Sequence, residues 1–277
     1  MAQVKVISSL AALLLLCTSA FAQDFSWEYV PMDGSRVGAT IPTTDNIDKA
    51  IGTVRGRRFI APNGKVYRGG SAPAVASLMI DAQASMAEVK EYIGNCPEGM
   101  VRRKPESELA NMLVDRLMVA VEAETGRKVD VGLLNFGGIR CDMPKGTVIM
   151  DDILSMLPFK NYICYVAIKG ADLQYLIEHM AAEKMQELGG MEVVVKDHKV
   201  TKALVGGKPI EMDRICGLAT IDFLLTGGDN IFAARNAVEL VQTEILMRDA
   251  ILPYLRALAA EGKPIEYHCD GRVRYED

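Results

Sequence analysis

At 277 residues, 49% of them apolar, the chain is long enough for one large domain or two small ones around a real hydrophobic core. A formal net charge of -5 gives no electrostatic ground for binding nucleic acid or a membrane surface. The short basic runs at 55–58 and 102–104 are too brief to alter that, and read as solvated surface except for Arg103.

In chain order, residues 1–22 read as a secretory signal peptide. Lys5 gives the positive start, 10–16 an apolar stretch too short to span a bilayer, and Ser19-Ala20-Phe21-Ala22 a small-residue cleavage site before Gln23. The alternative is a lipoprotein anchor at Cys17, against which Leu16 stands, because such sites want a small residue there. No later stretch reaches transmembrane length, so the expectation is an exported chain, periplasmic or extracellular, with no transmembrane anchor. Residues 23–73, rich in Gly, Pro, Asp and Thr, are expected to form an N-terminal appendage. Within it the strand-like pieces 58–60 and 65–67 flank Asn63-Gly64, a hairpin signal.

Residues 74–277 are expected to form the main domain. It opens with a helix at 74–86 and a strand at 89–93. A second helix spans 106–125, where Leu109, Leu113, Leu117, Ala120 and Val121 recur at helical spacing, with Ser107 as cap and Gly126 as stop. A strand at 129–134 enters a glycine turn, and a short helix at 151–156 precedes Pro158. A strand at 163–168, a helix at 171–188, and strands at 192–195, 199–205 and 215–220 follow. The last helix is placed at 241–261, kinked at Pro253. Helices and strands mix without regular alternation, which predicts an α+β fold: a mixed sheet with packed helices. Of six cysteines, Cys17 falls in the leader. The remaining Cys96, Cys141, Cys164, Cys216 and Cys269 form no C-x-x-C and are expected as buried apolar thiols.

The residues offer a binding constellation and no catalytic one. Hydrolysis at a two-metal centre needs several His, Asp and Asn ligands converging, and the three histidines, His179, His198 and His268, stand apart. There is no G-x-S-x-G and no P-loop. Gly137-Gly138 follows an apolar strand and lets backbone approach a ligand closely. Arg140 offers a fork of donors to phosphate or carboxylate. Asn135 adds an amide, Phe159 and Phe223 two aromatic faces, and Asp229, after Gly227-Gly228, a carboxylate. Each piece alone is equally an ordinary turn, a surface arginine or a core aromatic.

Taken in order, Asn135-Phe136-Gly137-Gly138-Ile139-Arg140, Leu157-Pro158-Phe159-Lys160-Asn161 and the run from Ile221 to Asn230 resemble a known family over roughly 84–275. It is the C-terminal, substrate-binding domain of the 5'-nucleotidase/UDP-sugar hydrolase family, with its N-G-G-G-I-R, L-P-F-G-N and N-D-F-L-A-x-G-G-D-G. The resemblance implies that Asn135 and Arg140 contact a nucleotide at Gly137 and Gly138. It implies that Phe159 and Phe223 sandwich the base, and that Asp229, beside Gly228, accepts from ribose hydroxyls. Arg103, before Glu106-Ser107-Glu108-Leu109-Ala110-Asn111, resembles the arginine of R-x-x-E-(S/T)-x-L-G-N that reaches the phosphate end; Arg102 fits with a slip of one residue. Asn111 is expected to order the helix start or a neighbouring loop. Among the departures from these motifs, Phe136 and Asn230 stand where the family usually has Gly, as does Ala110. The ring of Phe136 is expected to narrow the pocket or alter which base fits.

The family's enzymes also carry an N-terminal metallophosphatase domain, for which this chain has no room. No histidine here sits in the D-x-H, G-N-H-[DE] or G-H-x-H of that domain. The expectation is an exported nucleotide-binding domain acting in nucleotide catabolism, with no catalytic residue, metal or cofactor of its own. A separately encoded exported metallophosphatase would be its partner. The alternative is a stand-alone binder of nucleosides or nucleotides.

Overall fold

The computed structural model describes residues 40 and 42–276, so the expected leader at 1–22 and the start of the appendage lie outside it. The described residues divide into two compact units, with the boundary between Ser77 and Leu78. In the first, α1 (Ile47–Ala50) precedes β1 (Thr53–Arg55), β2 (Arg58–Ile60) and β3 (Val66–Arg68), an antiparallel meander. The turn between β2 and β3 forms at the expected dipeptide. Asn63 Oδ1 accepts from the Lys65 N–H at 3.0 Å, and Gly64 takes a left-handed φ of 81°. The cross-strand pair Phe59 and Tyr67 stacks at 5.7 Å. Helix α2 (Ala72–Ser85) contains the division between the units.

The second unit continues with β4 (Tyr92–Cys96), α3 (Glu108–Thr125), β5 (Val131–Leu134), β6 (Gly146–Ile149), α4 (Met150–Met156), β7 (Tyr162–Lys169) and α5 (Gly170–Ala182). Then come β8 (Glu187–Gly189), β9 (Met191–Lys196), β10 (Lys199–Val205), β11 (Lys208–Pro209), β12 (Ile215–Ile221), β13 (Glu239–Leu246), α6 (Met247–Ala260) and β14 (Val273–Tyr275). A five-stranded sheet runs β13-β7-β12-β5-β8, and a four-stranded one β11-β10-β9-β14. Both are mixed: β12 is parallel to β5 and β14 to β9, and every other pairing is antiparallel. The fold is α+β.

Helix α3 is the spine of the core. Ser107 Oγ accepts from the Ala110 N–H at 3.2 Å, and Gly126 ends the helix at φ 65°. Leu109, Met112, Leu113, Leu117 and Val121 are fully buried, each contributing about 1.5–3 kcal/mol by leaving water. The helix lies close to the sheet because paired positions on β5 and β8, Gly132 and Gly189, have no side chain. A Cβ there would fall 2.6 Å from Val114 Cγ1 and 2.7 Å from Met118 Sδ respectively.

Four expectations are corrected. The segment from Val241 to Leu246 is strand, not helix. Val241, Thr243 and Ile245 point inward while Gln242 and Glu244 are exposed, the period-two alternation of β-structure; α6 starts only at Met247. Helix α5 stops at Ala182, because Glu187–Gly189 adds an edge strand to β5. Strand β4 lies three residues later than placed, after a single 3₁₀ turn at Glu88–Lys90. Among the thiols, Cys96, Cys164 and Cys216 are buried, but Cys141 and Cys269 are exposed. No helix among the described residues is long and apolar enough to cross a membrane.

Candidate functional site

Topology brings the motifs together. Strands β5 and β12 are neighbours and parallel, so the turns after them, at Asn135 and Asp222, emerge on the same edge of the sheet. Strand β7 is antiparallel to β12 with Ile163 opposite Ile221, so its start, just after Phe159, lies on that edge too.

Asn135, 4% exposed, donates from Nδ2 to Asp229 Oδ2 at 2.8 Å, tying the first motif to the third. Its Oδ1 is buried with no hydrogen-bond partner and leaves no room for a side chain at Gly138, where a Cβ would be 2.7 Å away. At Gly137 a Cβ would meet Asp229 Oδ2 at 3.4 Å. Arg140 donates to the Gly137 carbonyl at 3.1 Å, and its guanidinium carbon lies 5.9 Å from the Phe159 ring centre. Phe159 and Phe223 are both about half exposed, which a core aromatic would not be. In the third motif Gly227, Asp229 and Asn230 all take left-handed backbone, at φ 113°, 49° and 60°; Asp and Asn are the side chains that tolerate it best. Gly228 lets the Phe223 ring lie against the turn, since a Cβ there would be 2.6 Å from it. His179 on α5 holds the turn from behind, with Nε2 2.8 Å from the Asn230 carbonyl.

A cavity of about 300 Å³ opens beside Asp229, walled by Phe136, Gly137, Lys104, Lys184 and His179. Phe136 is fixed by its N–H, which donates to Gln186 Oε1 at 2.9 Å, and by cations at its ring: Arg102 and Lys104 each lie 5.2 Å from the centroid. Lys104 also donates to the Met185 carbonyl, and burial holds its ammonium below the ordinary lysine range. Behind it, Glu187 is 3% exposed with Oε1 unpaired, and burial pushes its carboxyl up to about 7.

Residues 85–236 match the model of the family described as 5'-nucleotidase, C-terminal domain. The chain belongs to that family. It is 25% identical over 145 residues to a 5'-nucleotidase of Vibrio cholerae, an alignment covering 50% of this chain and 26% of the relative. It is 24% identical over 159 residues to Protein UshA of Yersinia enterocolitica, covering 56% and 28%. The chain thus spans about a quarter of the length of these curated relatives. The crystal structure of a 5'-nucleotidase precursor from Thermus thermophilus shares the fold, with a TM-score of 0.63 at 21% identity, covering 79% of this chain and 45% of that one.

Within this 5'-nucleotidase C-terminal domain, Asn135, Gly137, Gly138, Arg140, Phe159, Phe223, Gly228 and Asp229 are joined by contacts into one surface. Arg103 is not among them. It donates to Glu108 Oε1 at 3.0 Å and faces Cys269 Sγ at 3.7 Å. Its neighbour Arg102 is the one at the site, lying over Phe136 and donating to the Ile139 carbonyl at 2.5 Å. Asn111 is buried and ties the start of α3 to the C-terminal segment, donating to Glu106 Oε1 and to the His268 carbonyl. Lys104, expected with its basic run as solvated surface, is instead half-buried at the cavity on the Met185 carbonyl, and sequence reasoning passed over Gln186 and Asn161. Asn161, inside the quoted second motif, lines a small cleft with Phe159 and could have been found there. Lys104 and Gln186 carry no motif signal.

The described residues do not fit a two-metal centre. No group of three or more His, Cys, Asp or Glu side chains among them is gathered as ligands. His179 faces the Asn230 carbonyl, and His268 stacks on Tyr267.

Proposed function

We propose that this chain is the nucleotide-binding part of a 5'-nucleotidase-type phosphoric ester hydrolase, exported from the cell, whose partner is a separately encoded exported metallophosphatase. The base lies between Phe159 and Phe223, where stacking contributes about 1–3 kcal/mol and tolerates different bases. Ribose hydroxyls donate to Asp229 and the phosphate accepts from the Arg140 fork. The observation that carries this reading is the Asn135–Asp229 hydrogen bond, 2.8 Å long and made between residues 94 apart in the chain. It holds one carboxylate oxygen in place and leaves the other to accept from a ligand. This chain's residues bind and orient the nucleotide. Two-metal chemistry at the scissile phosphate would be supplied by the partner, which meets the surface around residues 135–140 and 227–230. The leader-like segment at 1–22 supports export.

The test is titration calorimetry of AMP, GMP, UMP and adenosine against the mature chain, followed by phosphate-release assays with and without the metallophosphatase. All three nucleotides should bind, and Arg140→Ala should weaken AMP more than adenosine. The chain alone, supplied with Mn²⁺, Zn²⁺ or Co²⁺, should hydrolyse AMP no faster than buffer, and mixing with the partner should restore activity. Absence of nucleotide binding, or metal-dependent turnover by the chain alone that a site variant abolishes, would overturn the reading.

A further inference from the structure

The cavity beside Asp229 has a cationic wall that a 5'-mononucleotide held by Arg140 leaves unused. Its volume, about 300 Å³, is at the lower end of small-molecule pockets, about 300–1,000 Å³. Arg140 is not part of its lining; it lies over Phe159. The cations that do line it are Lys104 and Lys184, with His179 at the back, and the acids are Asp229 and Glu183. Lys104 is the informative one. Its ammonium is partly withdrawn from water, on a backbone carbonyl and over a ring, and it makes no salt bridge among the described residues. The acid behind it, Glu187, is itself pushed toward its neutral form by burial, so it compensates the lysine only partly at neutral pH. Asp229, across the same cavity, also acts on the lysine, but neither acid makes a direct ion pair with it, so an arriving anion can relieve the cost of the half-buried cation. The spare donors of Lys104 share the cavity with Asp229, the group that would hold the ribose.

We propose that the cavity walled by Lys104, Phe136 and Lys184 is a second anion subsite, which takes a phosphate on the 2' or 3' oxygen of the bound ribose. The remaining free hydroxyl of that ribose donates to Asp229, and the 5'-phosphate stays at Arg140. The ligand class is a nucleoside bisphosphate. Phe136 builds the subsite: Gln186 holds its backbone N–H, and its ring carries the Lys104 ammonium 5.2 Å from the centroid at the cavity that both residues line. This inference rests on the nucleotide reading above.

Titration calorimetry of the mature chain with adenosine 5'-monophosphate, adenosine 3',5'-bisphosphate and adenosine 2',5'-bisphosphate tests it. One bisphosphate should bind at least about tenfold tighter than the monophosphate, and which one does fixes the position of the second phosphate. Lys104→Met should erase that gain while changing monophosphate affinity by less than about twofold, and Lys104→Arg should keep part of it. Lys184→Ala, on the exposed rim, should reduce the gain in the same bisphosphate-specific way, and it serves if Lys104→Met fails to fold. Bisphosphates no tighter than the monophosphate, or lysine variants that weaken all three ligands alike, would sink the subsite while leaving the clamp intact. If none of the three binds, the nucleotide reading itself has failed and the subsite goes with it.

Discussion

Arg272 and Arg140 belong to the same unit and are provided for in opposite ways. Arg272 is 8% exposed and saturated: it donates to both oxygens of Asp115, both of Asp270 and the Leu188 carbonyl. Tyr267 completes that cluster by donating to Asp115 Oδ2 at 2.6 Å. Arg140 is exposed, donates to one carbonyl and rests over one ring. Arg102 and Lys104 repeat the pattern, with carbonyls and a shared ring in place of carboxylates. Charge alone does not separate a structural cation from one kept for a ligand. The chemistry of its partners does, because carboxylates cancel a charge whereas carbonyls and ring faces position it and leave it available.

This contrast can be broken, and most sharply at the structural end. Asp115→Ala should cost about 2–3 kcal/mol of stability, since it removes one of the two carboxylates that pair with Arg272 and leaves the Tyr267 phenol without its acceptor, while nucleotide affinity stays near wild type. Denaturant unfolding beside calorimetry decides it; an unchanged midpoint would mean that Arg272 is not structural. The next effect is on pH dependence. Glu187 titrates at about 7 in the fold against 4.5 unfolded, so the native state holds a proton that the unfolded chain has released, and stability falls as pH rises from about 4.5 to 7. Glu187→Gln should remove that slope, worth at most roughly 3 kcal/mol, seen as a melting temperature that gains more at pH 8 than at pH 5. At the ligand end, Phe159→Ala or Phe223→Ala should each weaken nucleotide binding by about 1–3 kcal/mol, evenly across bases, with the fold retained. Collapse of thermal stability at unchanged affinity would instead make them core residues. The smallest effect belongs to the exposed pair Arg256–Glu91. Despite its fork geometry at 2.9 Å, Arg256→Ala should cost under about 1 kcal/mol in the same unfolding assay.

What could be read from the chain was what local chemistry determines. Ser107 and Gly126 mark the ends of α3 because a cap and a left-handed stop act within a turn of themselves. The three motifs were visible as glycines and aromatics in order. What escaped depends on partners far along the chain. Strand β13 is strand because it pairs with β7, and β8 because it pairs with β5. Lys104 matters through Met185, 81 residues away. Between Arg102 and Arg103 the residues offered no choice, since neighbours in a non-helical segment point to different sides. One meets Phe136 and the other Cys269, and only the fold around them decides which.

The parallel pairing of β5 with β12 also sets when the site can exist. Leu218 sits opposite Val131, and the halves of the surface follow these two strands. Closing so long a connection is an entropic cost met late in folding, after α3 and the local hairpins can already have formed. The candidate surface is therefore a product of completed sheet assembly, and a nascent chain that has not yet delivered β12 lacks the half that follows that strand. A ligand present during refolding would act on the finished protein alone, drawing the equilibrium toward it by mass action and reporting, by its own capture, the fraction of chains that have closed the sheet.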